Sequence, residues 1–280
     1  MCALLGALRP SSTSHLPGDC QSALMAAMLT SFAQERRCLD FAQIVGGPES
    51  GNPSSQMTVM DQIQRQFDTL TRASSPSVPQ EQIKTIQSDR HNIHNLLTIL
   101  RFIPQRTLYA FSRFRTSPAG SAKARNDISE HMHRHMEQAR DCLLHAAQLY
   151  QSLRQASPLL YHDPFLLLNA SIYIWAYTEL VEHAPATISN ANSPNKKEKT
   201  IRIDQVLDGA SRDDWVFHGS GRQAHITGVG ILGDDRSTTR LLKETSRILS
   251  ANGDKLKLPS TLATLFESAL EGQYHADPDD

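Results

Sequence analysis

The chain has 280 residues, enough for one large domain or two small ones, and 39% of them are hydrophobic, enough for a buried core. Its 28 basic and 29 acidic residues nearly cancel, which excludes the strongly basic footprint of a dedicated nucleic-acid-binding domain. Cys2, Cys20, Cys38 and Cys142 are scattered, with no C-x-x-C pair and no short secreted scaffold to staple, so a reducing intracellular compartment is expected. The start, MCALLGALRP, lacks the basic segment of a signal peptide, and the apolar run from Phe165 to Val181 is interrupted by Asn169, Ser171 and Thr178. Neither an export signal nor a membrane span is expected.

In chain order, Leu24, Met28, Phe32 and Leu39 place a helix between Ser22 and Val45, ended by the break GGPESGNPSS. Val59, Ile63, Phe67 and Leu70 mark a second short helix before SSPSVP, so residues 1–80 read as a flexible helical extension with Ser/Pro/Gly-rich linkers. From Pro79 the pattern tightens: Ile83, Ile86, Ile93, Leu97 and Leu100 form one apolar stripe that Pro104 ends or kinks. Long helices are predicted at about 121–156, 163–182, 236–251 and 259–271, with Asp163 before Pro164, and Ser237 or Asp235, as N-caps. The polar tract 189–200 reads as a loop, and few stretches alternate with a period of two. The predicted fold is all-α, a multi-helix domain over residues 81–275.

The stretch SEHMHRHMEQARDCLLH, residues 129–145, invites a metal reading. On one continuous helix His131 and His135 share a face, His133 points away, and Cys142 and His145 return near the first face. Cys142 would then lie roughly 16 Å along the axis from His131, too far for one tetrahedral zinc. The more regular signal is apolar: Met132, Met136, Ala139, Leu143, Ala146, Tyr150 and Leu153 form a stripe to be buried, with the histidines at its edge. No metal ligand is assigned.

Gly228-Val229-Gly230-Ile231-Leu232-Gly233 contains a literal G-x-G-x-x-G, but the helix after it begins only past Asp235 and no βαβ unit follows, so the glycines are read as a tight connection between helices. Gly219-Ser220-Gly221 lacks the spacing of a nucleophile elbow. The pairs Asp213-Asp214 and Asp234-Asp235 are read as caps or solvated turns rather than a shared-proton dyad. The triplet Asn169-Ala170-Ser171 falls inside an apolar helix and is read as chance. Arg101, Arg106, Arg113 and Arg115 near Pro104 read as a solvated or ion-paired face. No catalytic, cofactor-binding or metal-binding residue is assigned, and no enzyme is expected. A second reading, a ligand-sensing or enzymatic helical domain with a pocket between helices, stays open at this point.

Four blocks in order carry a resemblance: RTLYAFSRF (106–114), ARDCLLHAAQLYQSLR (139–154), YHDPFLLLNASIYIWAY (161–177) and RQAHITGVGILGDDRSTTRLLKETSRIL (222–249). Together they resemble the fungal-specific transcription factor regulatory domain, the middle homology region, in the version found downstream of paired two-Cys, two-His zinc fingers. The resemblance implies an all-helical regulatory domain of a nuclear protein acting in RNA polymerase II transcription, with self-association or other regulators as partners. It also implies that DNA is read by the zinc module. Residues 1–280 hold no cysteine and histidine spacing of that kind, so zinc and DNA contact are assigned to a module outside these residues.

Overall fold

The computed structural model describes residues 80–114, 116–156, 159–160, 162–182, 200–219, 222–234 and 236–256. The predicted helices within 22–45, 59–70 and 259–271, the N-terminal extension and the loop 189–199 lie outside the described residues. The chain divides into two compact units at Leu97 and Thr98. Of the first, the described part is Gln80–Leu97, most of helix α1 (Gln80–Phe102), in which Ile93, Leu96 and Leu97 are buried.

The second unit is mostly helical, as predicted. After Pro104 come α2 (Gln105–Phe111), α3 (Pro118–Arg134), α4 (Met136–Gln155) and α5 (Asp163–Tyr177), which runs into a π-helical turn, Thr178–Glu182. Further on are α6 (Gly209–His218) and α7 (Ser237–Leu256).

Helix α5 is apolar on every side, and all its residues except Phe165 are buried, which is the pattern of a helix at the centre of a bundle. Helix α4 packs along it most extensively, with α7, α2 and α3 on its other faces. The spacing of the sequence predicts a buried face of Phe165, Leu168, Ile172, Trp175 and Leu180, extended by Tyr173 and Tyr177; all are buried except Phe165, which is half-buried. The Tyr173 hydroxyl donates to the Ala139 carbonyl of α4 at 2.9 Å, so the one polar atom of that buried ring is satisfied. Trp175 stacks edge-on against Phe111 of α2 at 4.9 Å and donates its Nε1–H to Glu179 in the π turn. Asn169 is fully buried and its amide donates to the Phe165 carbonyl at 2.8 Å, so the glycosylation triplet is inaccessible.

Four features depart from the sequence expectations. Asp163 is the first residue of α5 and not its N-cap, which is His162. The helix predicted over 121–156 is two helices, because His135 leaves helical geometry at φ −126° and ψ 52°. No glycine or proline marks the break, and it costs little in hydrogen bonding: His135 N–H still reaches His131 O, and Ala139 N–H reaches His135 O.

The segment 200–231 is not only a connection between helices. It forms a small sheet of order β1-β2-β3, with β1 (Ile201–Arg202) parallel to β2 (Ala224–Ile226) and β2 antiparallel to β3 (Gly230–Ile231). Strands of two or three residues are too short to show a period-two signal.

The pair Asp213-Asp214 lies inside α6 rather than in a cap or turn. Asp214 is ion-paired to Arg222, and the α6 cap is Asp208, which accepts from Ser211 N–H at 2.8 Å.

Candidate functional site

The histidine-rich edge does not assemble a centre. Phe102 and His131 stack at 4.6 Å and His131 and His135 at 5.0 Å, at the α3–α4 break, while the exposed His133 turns back to its own helix, 2.7 Å from the Ser129 carbonyl. His145 lies on α4, 3.9 Å from Asp141. Cys142 is buried, its thiol 3.7 Å from the Thr98 carbonyl, and burial pushes its pKa well up, away from the thiolate a nucleophile or metal ligand needs. Among the described residues, no three His, Cys, Asp or Glu side chains are grouped to hold a metal.

The glycine motif is placed differently from both readings of the sequence. A strand, β2, does precede it, and a parallel β1–α6–β2 unit exists, but that unit leads into the glycines instead of starting from them. The chain turns back at once into β3, and α7 begins only at Ser237, beyond Gly233. No helix N-terminus opens within the glycines, so the pyrophosphate cradle of a dinucleotide fingerprint is not built.

What the glycines build is a hairpin turn collared by arginines. Gly228 and Gly230 have φ of +86° and +103°, a left-handed conformation that side-chain-bearing residues rarely adopt. The turn is closed by Val229 N–H to Ile226 O at 3.1 Å, and the Val229 side chain is buried. Asp204, after β1, has a wholly buried side chain and accepts the Thr227 N–H at 2.9 Å, which joins the ends of the two parallel strands.

Around this turn stand guanidiniums from three elements. Arg202 of β1 donates to the Thr227 hydroxyl at 2.7 Å. Arg154, at the end of α4, lies so close over Gly228 that a β-carbon there would come within 2.8 Å of its guanidinium. Arg240 of α7 is 3.5 Å from both the Val229 carbonyl and Asp234. Behind them Glu244 of α7 accepts from Arg154 at 3.0 Å and from Arg247 at 2.8 and 2.9 Å. The Arg247 and Arg154 hydrogen bonds lower the Glu244 pKa from 4.5 to about 2.

The arrangement presents guanidiniums that can hold anionic groups. Sequence reasoning missed it because its arginines come from residues 154, 202, 240 and 247; only the repeated glycines gave a local sign. Of the arginines read as a solvated or ion-paired face, Arg106 and Arg113 are exposed, Arg101 is half-buried, and Arg115 lies outside the described residues.

No family model matches the chain. It is similar to a protein of Gibberella fujikuroi described as a transcription factor, 29% identical over 161 residues, which is 56% of this chain and 20% of that protein. The chain therefore spans about a fifth of that relative's length. No solved structure matches. Among the described residues, no helix is long and apolar enough to cross a membrane.

Proposed function

We propose that this chain is a regulatory, protein-interaction domain of a fungal transcription factor, acting in the nucleus on RNA polymerase II transcription. The observation that carries the reading is the likeness to the Gibberella transcription factor across more than half of the chain. The fold agrees with it: the four sequence blocks fall on α2, α4, α5 and the β2–β3–α7 segment, all within one helical unit. Reading of DNA belongs to a zinc-finger module outside these residues, and the chain works through protein partners, including a second copy of itself. It needs no cofactor of its own and is not an enzyme.

Two measurements test this. Fused to a heterologous sequence-specific DNA-binding domain in a fungal host, residues 1–280 should change reporter transcript levels relative to that domain alone. The chain by itself should form no sequence-specific complex in gel shifts at about 0.15 M salt. An unchanged reporter would overturn the regulatory reading, and a sequence-specific complex would overturn the assignment of DNA reading elsewhere.

A further inference from the structure

Arginines that serve only to brace a fold have their donors taken up by fixed partners. Those at the front of the collar do not. Both contacts of Arg240 are 3.5 Å long, at the outer limit of a hydrogen bond. Arg202 makes one short bond, to Thr227, and its Nε is 3.9 Å from Asp204. Their side chains are 48% and 51% exposed, and they reach the two halves of a four-residue turn, Arg240 at the Val229 carbonyl and Arg202 at the Thr227 hydroxyl.

The fold's own carboxylates leave both arginines with donors to spare: Asp204 holds the Thr227 amide and stands 3.9 Å from Arg202, Asp234 reaches Arg240 only at 3.5 Å, and Glu244 is shared by Arg154 and Arg247. A planar guanidinium fork left with spare donors matches a carboxylate.

From this geometry we infer that the arginine-collared turn Thr227–Gly230 is a docking surface for an acidic segment of a partner protein, whose Asp or Glu side chains pair with Arg202 and Arg240. The inference rests on the regulatory reading above and names the kind of partner that reading requires. A nucleic acid suits the surface less well. Asp234 and Glu244 stand among the arginines, and a duplex carries one phosphate charge per about 1.7 Å of axis, which would set phosphates against those carboxylates. A peptide places single acidic groups and avoids them.

The test uses the full chain and a short dye-labelled peptide of alternating glutamate and serine, followed by fluorescence anisotropy. Binding is expected at low salt and should weaken toward about 0.15 M. The R202Q/R240Q variant should weaken it about tenfold, with R240Q alone giving part of that loss and serving if the double variant does not fold. Lys123→Gln, removing an exposed charge on α3, should leave it unchanged.

No binding by the folded wild-type chain, an equal loss in the Lys123 variant, or displacement of the peptide by random-sequence duplex DNA at equal concentration would each overturn the inference. The reporter fusion separates the two levels. If the fusion regulates while the peptide does not bind, only the docking surface falls; if the fusion is silent, the regulatory reading falls with it.

Discussion

Helix α5 and the collared turn are both held firmly, by opposite means. In α5 the restraint is apolar burial on all sides, non-directional and tolerant of how each side chain is reached. In the turn it is directional: left-handed glycines, a buried carboxylate on an amide, and guanidiniums stacked against backbone that has no β-carbon. The first arrangement should yield to loss of volume, and the second to the addition of a single methyl group.

The largest expected effect is on the first. Trp175 is 6% exposed and packs on Phe111, so Trp175→Ala leaves a cavity and a stranded Glu179 contact, and should cost about 3–5 kcal/mol in urea denaturation. If the loss is under about 1 kcal/mol, α5 is not the centre of the core.

The turn should respond next. Gly228→Ala forces a β-carbon into a left-handed backbone and onto the Arg154 guanidinium, and should cost about 1–3 kcal/mol. Its counterpart is Gly209, the first residue of α6, where a β-carbon meets nothing within 4 Å. Gly209→Ala should raise stability by about 0.4–1 kcal/mol. Equal effects at the two glycines would remove the contrast between turn and helix.

Asp163 tests the N-terminus of α5. Its carboxylate accepts the Leu160 N–H at 2.7 Å, yet burial raises its pKa above the ordinary 3.8. A raised folded pKa means that the ionised form costs stability at neutral pH, a cost that disappears as pH falls through the folded value to the ordinary one. Asp163→Asn keeps an acceptor for Leu160 and loses the charge. It should match or exceed wild type by up to about 1 kcal/mol at neutral pH, with the margin closing in acid; Asp163→Ala should instead lose about 1 kcal/mol. Thermal melts across that range would show which holds.

The same contrast explains what the sequence made legible. Apolar spacing located α1, α5 and α7 and named core residues of the first two, because burial follows a periodicity in the order of apolar residues. The break at His135 left no sign, since nothing there is a helix breaker and the backbone bonds persist across it. The sheet left none because its strands are too short for alternation, and the collar's arginines none because they reach one turn from three separate elements, at residues 154, 202 and 240. The glycines at 228 and 230 were visible and read as a tight connection between helices; they make a hairpin turn against which arginines pack.

Glu244 gives the smallest effect and the clearest sign. It joins Arg154 of α4 to Arg247 of its own helix, and those hydrogen bonds hold its pKa near 2 in place of 4.5. A depressed folded pKa adds stability that is complete above the ordinary value and is lost as pH falls from about 4.5 toward 2. Because Arg247 is 64% exposed, screening keeps the contribution below about 1 kcal/mol. Glu244→Gln should therefore be slightly less stable than wild type at neutral pH, with the two denaturation curves converging across that acid window. A gap that stays constant with pH would mean that Glu244 supports α7 by packing and not by charge, and that the back of the collar is held as the core is.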